Sequence, residues 1–255
     1  MLNPVYITAF DLDDAWFQCL NNIMDKGYIY KVSKGSYEKE QRRLEFDLAV
    51  VHITNPKNQI IPIIPEGMSI PPPTSMEYVS GDYLMCLMTD QKTKSEDYTY
   101  GERLNNFKIR LNDTVVDTPN GYSIINEIVE GTNQIQEVIK MFKTAGEGTN
   151  QACMEIGMPS DIRISDPPCC RLIDCRLRYG KLHFYIYFRS WDLWTGWPSN
   201  LGGMQLLKQY MAEQIGVEDG EMVCMSKGLH LYEYCWEYAK TRTGKSIKAL
   251  ENERN

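Results

Sequence analysis

Only three histidines, His52, His183 and His230, occur in this chain, and Cys169, Cys170 and Cys175 lack a second CxxC-type pair. Tetrahedral metal sites draw on such pairs or on clustered histidines, so no metal is expected. Positive charge is also scarce. The formal net charge is -7, whereas a general nucleic-acid binder carries a basic face. Bulk charge still leaves room for a local anion pocket. No apolar run approaches membrane-spanning length, and "MLNPVYITAFDLDD" has no positive start followed by an apolar stretch. Neither a nucleic-acid nor a membrane partner is therefore expected, and the eight cysteines should be reduced thiols in a cytoplasmic protein. "TGKS" near the end lacks the preceding glycine of a phosphate-binding loop. The sequon at Asn112-Asp113-Thr114 is chance without export, and no internal repeat is apparent.

What is present suits one α/β domain, because 255 residues at 43% hydrophobic content fill one large core. Leu12, Trp16, Leu20, Ile23 and Met24 recur at helical spacing, predicting a helix over 11–26. "LEFDLAVVHIT" is rich in β-formers and predicts a buried strand. "PKNQIIPIIPEGMSIPPP" breaks helix repeatedly and should cross the surface in extended form. Ile135, Val138, Ile139 and Phe142 form one helical stripe. "RLIDCRLRYGKLHFYIYF" predicts a hairpin turning at Tyr179-Gly180, with Leu182, Phe184, Ile186 and Phe188 on one face. Met204, Leu207, Tyr210, Met211 and Ile215 mark another helix, with Asn200 placed just before it as a cap. "HLYEYCWEYAK" reads as an aromatic-faced helix. The polar end, residues 241–255, should fray.

Several residues able to do chemistry cluster late in the chain. "DPPCC" sets a thiol between a proline corner and a strand. Arg189-Ser190 ends "LHFYIYF", "WDLWTGWPSN" follows, and "HLY" comes thirty residues after Asn200. Taken singly, each has an ordinary explanation: a buried filler, an arginine paired with a carboxylate, a helix cap. The order PPC, RSxDxxxGxPxN and HxY, however, resembles the thymidylate synthase family. Cys169, Arg189, Ser190, Asp192, Gly196, Pro198, Asn200, His230 and Tyr232 all fall in its register. The likeness is strong over about 133–240 and weaker upstream, where "DYTYGERL" around Tyr100 is the anchor. The text "GTNQ…PPCCRLIDCRL…RSWDLW…NLGG…SKGLH" is most similar to the archaeal-type branch.

The resemblance implies a single catalytic domain over residues 1–240, with a large mixed β-sheet flanked by helices. It also implies methylation of deoxyuridylate at carbon 5. Carbon 5 of uracil is a poor nucleophile, and thiolate addition at carbon 6 turns the ring into an enolate that attacks a one-carbon electrophile. Cys169 would supply that thiolate, with a pKa lowered by Arg189. Arg189 and Ser190 would hold the phosphate. Asn200 would read the base, accepting from N3–H and donating to O4, roles that cytosine reverses. His230 and Tyr232 would bind the sugar hydroxyl. Asp192 and Gly196 would face a methylene-tetrahydropterin cosubstrate of folate or methanopterin type. Trp191 and Trp194 would either wall that space by stacking or pack in the core. Tyr100 would join the catalytic set.

The sequence also departs from the family pattern. Thr149, Asn150 and Gln151 stand where arginines reach across a dimer interface, so a homodimer is implied while a monomer stays open. Cys170 replaces a histidine after the nucleophile and should point the opposite way on its strand. Arg42 and Arg43 lie near the expected amino-terminal phosphate arginine, though as "EKEQRRLEF" they read as a solvated charge run. Glu77 and Asp82 are both candidates for the family's glutamate. A pyrimidine-nucleotide hydroxymethylase acting on deoxyuridylate or a cytidylate, and a non-catalytic nucleotide-binding protein, are the alternative readings.

Overall fold

The computed structural model describes residues 1–31, 41–107, 114–118, 121–125 and 131–249, with backbone alone for 114–118 and 121–125. The Asn112-Asp113 part of the sequon and residues 250–255 lie outside it. The amino-terminal half runs β1 (Val5–Ala9), α1 (Leu12–Lys26), β2 (Tyr28–Lys31), β3 (Arg42–Glu45) and β4 (Ala49–Ile53). Then come α2 (Met76–Tyr78), a π-helical turn Val79–Tyr83, α3 (Leu84–Met88), α4 (Tyr100–Asn105), and the hairpin β5 (Thr114–Thr118) and β6 (Gly121–Ile125). The rest comprises α5 (Gln134–Ala145), β7 (Cys153–Glu155), β8 (Cys170–Arg178), β9 (Lys181–Phe188), β10 (Trp191–Asp192) and α6 (Gly196–Ile215). β11 (Glu218–Ser226), β12 (Leu229–Tyr232) and α7 (Trp236–Thr243) complete the described chain. No described helix is long and apolar enough to cross a membrane.

A six-stranded mixed sheet, ordered β1-β4-β11-β9-β8-β7, organises the molecule. Its strands alternate, and one face carries Val5, Ile7, Val51, Ile53, Phe184, Ile186, Met222 and Cys224, all buried in the core. Helices α1, α5 and α6 cover that face because each presents an apolar stripe to it: Trp16, Leu20 and Ile23 on α1, Ile135, Val138, Ile139 and Phe142 on α5. α1 begins where expected, since the Asp11 carboxylate accepts from the Asp14 amide (3.0 Å). On the opposite face Tyr6, Tyr185 and Met225 are exposed, and Val50, Tyr187 and Val223 are half-buried.

A second sheet, β10-β12-β3-β2, packs beside the first. It corrects two expectations. "LEFDLAVVHIT" is two strands in two sheets, because Phe46-Asp47-Leu48 crosses between them while Asp47 accepts from the Asn3 amide (2.7 Å). "HLY" is strand β12 rather than helix, since its backbone is claimed on both sides, by β10 and by β3. Helix starts only at Trp236, after a 3-10 turn at Glu233–Cys235.

The segment expected to fray is held as far as it is described. Lys245 and Lys248 both pair with Asp25 on α1, and Ile247 is buried.

Candidate active site

The hairpin turns as read from the sequence, with Tyr179 and Gly180 both in the left-handed region (φ 54° and 68°). Continued without interruption, its register would set residue 169 opposite 190. A bulge between Cys170 and Leu172 shifts it, so that Cys170 pairs with Phe188. Cys169 therefore faces Arg189, whose amide donates to the Cys169 carbonyl (2.8 Å). The Arg189 guanidinium lies along the proline corner: Nε donates to the Pro168 carbonyl (3.2 Å), and a terminal nitrogen bonds the Pro167 carbonyl and approaches Asp166 (3.4 Å). The Tyr100 hydroxyl accepts from the Cys170 amide (3.0 Å), so the first residue of α4 fixes the strand start beside the thiol. Cys170 is fully buried and Cys169 half-buried, which gives the two thiols opposite sides.

The thiol chemistry differs from expectation. Burial raises the Cys169 pKa above its ordinary value, and the nearby charges of Arg189, Arg43 and Arg171 only partly oppose this, with Asp166 acting against them. A desolvated thiol loses more from leaving water than one guanidinium at this distance returns. Alkylation of Cys169 by iodoacetamide, followed by peptide mass analysis across pH, is expected to have its midpoint above that of a free thiol. Arg189→Gln should move that midpoint higher still, because a cation that favours the thiolate is lost. An unchanged midpoint in the variant would deny electrostatic contact between the two.

Asn200 is not a cap. The Asp192 carboxylate accepts from the amides of Trp194 (3.0 Å), Thr195 (3.2 Å) and Gly196 (3.1 Å) and from the Thr195 hydroxyl (2.5 Å). Those bonds start α6 at Gly196, and Pro198 sits in the first turn, where no N–H is missed. Asn200 thus lies one turn inside the helix. Its Oδ1 accepts from the Trp191 indole N–H (2.8 Å), and its Nδ2 donates to the Tyr83 hydroxyl (2.6 Å). Tyr83 reaches it because Gly203 has no side chain; a Cβ there would lie 2.3 Å from the Tyr83 ring. Asn200, Tyr83, Gly196, Thr195 and Ser199 line an open cavity of about 570 Å³, together with Pro72–Ser75 and Tyr78.

Parallel pairing of β10 with β12 sets Asp192 beside His230, and antiparallel pairing of β12 with β3 sets Tyr232 beside Arg43. His230 is buried, and its pKa falls to about 4, first through burial and then through the positive charge of Arg43. Nδ1 faces the Gly228 carbonyl (2.8 Å), an acceptor, so Nδ1 carries the proton. Nε2 is then a buried acceptor with no partner among the described residues. The Tyr232 ring stands edge-on to the imidazole, at 4.6 Å between centroids. Ser190 is half-buried against Gly228.

Arg43 corrects the solvated reading of "EKEQRRLEF". Arg42 does pair at the surface with Glu233, but the Arg43 side chain is only 14% exposed and its buried Nε has no partner among the described residues. It lies over Tyr232 (5.2 Å) and near enough to Cys169 and His230 to shift both. No local pattern marks Arg43, because a pairing across 189 positions puts it there. Trp191 and Trp194 prove to be core: the first stacks on Phe188 (3.8 Å between centroids), and the second packs on Trp16 (5.1 Å) and Tyr238 (5.4 Å). Glu77 and Asp82 are both exposed, Asp82 directly before Tyr83. Among the described residues no cluster of three or more potential ligands could hold a metal ion.

The sequence profile of the thymidylate synthase family matches residues 82–252. The chain belongs to the thymidylate synthase family. It is 30% identical over 231 residues to a protein of Methanosarcina mazei provisionally named thymidylate synthase, covering 91% of each chain. A similarly named protein of Methanosarcina acetivorans is 29% identical over 232 residues, again 91% of each. The thymidylate synthase of Listeria monocytogenes is 30% identical over 122 residues, 48% of this chain and 38% of that one. The likeness to the methanogen proteins is that of the archaeal-type branch, and the chain is an enzyme of thymidylate synthase type.

Proposed function

We propose that the protein methylates deoxyuridylate at carbon 5 through covalent addition of Cys169 to carbon 6. The observation that carries this reading is the bulged hairpin that pairs Cys169 with Arg189 and keeps the thiol within electrostatic reach of that cation. Arg189 and Arg43 supply two positive charges for a phosphate, in place of the single arginine foreseen from the sequence, and the unpartnered Arg43 Nε is a donor that an anion would satisfy. The unpartnered His230 Nε2 is an acceptor for a sugar hydroxyl, with Tyr232 at its edge. Asn200 offers an acceptor and a donor side by side at the cavity, as the N3–H and O4 edge of uracil needs.

The thiol reacts as thiolate when it adds to carbon 6, a form that burial disfavours and the positive charges of Arg189, Arg43 and Arg171 favour. Arg189 is placed to hold the anion at that stage, and Tyr100 keeps the Cys169–Cys170 backbone from moving. The cosubstrate, a reduced pterin, supplies the one-carbon unit. Tyr78 and Gly196, both lining the cavity, fit a flat ring there, whereas the buried Trp191 and Trp194 do not reach it. Asp192 acts through the helix start it caps. Asp82 is the better placed of the two acidic candidates, since it adjoins Tyr83. The uncovered sheet face with Tyr6, Tyr185 and Met225 supports a homodimer over a monomer, because a second copy would remove those side chains from water.

Purified protein incubated with deoxyuridylate and either methylenetetrahydrofolate or methylenetetrahydromethanopterin, and analysed by product mass, tests the reading. The expected product carries one methyl group with one of the two donors. A product heavier by one oxygen would identify a hydroxymethylase, and an unmodified base with both donors would overturn the proposal.

A further inference from the structure

The amide of Asn200 has two faces that differ only by exchange of oxygen and nitrogen, and nothing in an isolated asparagine prefers one. Here its neighbours decide. The Trp191 indole nitrogen can only donate, so the atom 2.8 Å from it has to be the amide oxygen. Tyr83 does not decide, because a hydroxyl donates or accepts equally well at 2.6 Å. Trp191 itself cannot turn away. Its ring is stacked on Phe188 at an interplanar angle of 5°, and its backbone amide is bonded to the Gly228 carbonyl (2.9 Å).

We propose that Trp191 is the specificity-determining positioning residue of the site, its indole N–H fixing the Asn200 carboxamide in the order that accepts uracil and rejects cytosine. The inference rests on the functional reading above and names what sets its substrate preference. With Oδ1 fixed towards Trp191, its second lone pair can take the N3–H of uracil while the second Nδ2 proton goes to O4. Cytosine presents an acceptor at N3 and a donor at the exocyclic amine. To serve it, the amide would have to turn over, placing an NH2 against the indole N–H with neither donor satisfied. Two donors so opposed in a buried site disfavour the flipped form by about ten- to a hundredfold.

Dissociation constants for deoxyuridylate and deoxycytidylate, measured by calorimetry on wild type, Trp191→Phe and Tyr83→Phe, test this. Wild type should prefer deoxyuridylate. Trp191→Phe keeps the stacked ring but loses the N–H, and should reduce the preference about tenfold or more, chiefly by binding deoxycytidylate better. Tyr83→Phe should weaken both nucleotides and leave their ratio unchanged, as loss of a purely structural contact would. An unaltered ratio in Trp191→Phe, or a wild-type preference for deoxycytidylate, overturns the inference while leaving the nucleotide site intact. If wild type binds neither nucleotide, the functional reading fails and takes this one with it. Should Trp191→Phe not fold, the indole proton of Trp191 in wild type decides. Slow exchange with solvent and a shifted resonance in Asn200→Ala are expected, and fast exchange would refute the bond.

Discussion

Replacing Cys169 with alanine is expected to lower release of tritium from deoxyuridylate labelled at carbon 5 by at least about 10³-fold. Exchange of that hydrogen requires carbon 5 to become enolate-like, and it becomes so only once a nucleophile has added at carbon 6. The neighbouring thiol does not stand ready to substitute. Cys170 is buried on the other side of the strand with its Sγ towards the Leu172 carbonyl (3.8 Å), and burial holds its pKa well above the ordinary value. Cys170→Ala is therefore expected to keep release within about tenfold of wild type, the small loss reflecting a packing defect. Affinity for the nucleotide should survive in Cys169→Ala, because the proposed anion and sugar contacts come from Arg189, Arg43 and His230. Equal tritium counts from wild type and Cys169→Ala would remove the covalent step from the reading.

The second large effect concerns the frame behind the thiol. Asp161 is 3% exposed and accepts from Arg103 on α4 (3.0 Å), from Arg171 on β8 (3.2 Å) and from the Met158 amide (2.7 Å). Arg103 in turn donates to the Ile156 carbonyl (3.1 Å). One carboxylate thus ties the helix that carries Tyr100 to the strand that begins at Cys170. Asp161→Asn keeps the shape and removes the charge, leaving two guanidinium groups with no counter-ion, the Arg103 side chain only 9% exposed. Breaking one partner of a buried pair costs about 3–5 kcal/mol, and denaturant unfolding should show a loss of that order. Burial pushes the Asp161 pKa up, but the Met158 amide and the two arginines outweigh it and hold it below the usual carboxylate value. Its folded pKa being depressed, its contribution is full above the unfolded value near 3.8 and is lost as pH falls through the folded one. The variant should therefore show a shallower acid-side loss of stability than wild type. Matching acid curves would show that the carboxylate is not held by the arginines.

Much of the site was legible because its parts are local. A turn with two left-handed residues, alternation along β9 and the stripe on α5 each follow from a period that neighbouring residues carry. The motif order drew attention to Cys169, Arg189, Asn200 and His230, and α1 spans Leu12–Lys26 within the 11–26 read from its apolar spacing. What failed was of another kind. Asn200 looked like a cap because a polar residue before an apolar stripe usually is one, yet Asp192 had already taken the free amides. "HLY" looked helical from its aromatic neighbours, but two flanking strands claimed its backbone. Arg43 looked solvated because a charge run carries no record of what it meets 189 positions away.

Composition, periodicity and turn chemistry alone determined that this chain builds an α/β domain with a thiol, a cation and an amide spaced along one late segment. Tertiary structure alone decided that the thiol meets the cation, through a single bulged residue, and that Arg43 joins them, through β3 pairing with β12. It also decided which way the Asn200 amide faces, through an indole nine residues earlier and a tyrosine admitted by Gly203. Local preferences act over a few bonds and are written in neighbouring residues. Register and side-chain orientation depend on atoms that become neighbours only after the chain has folded.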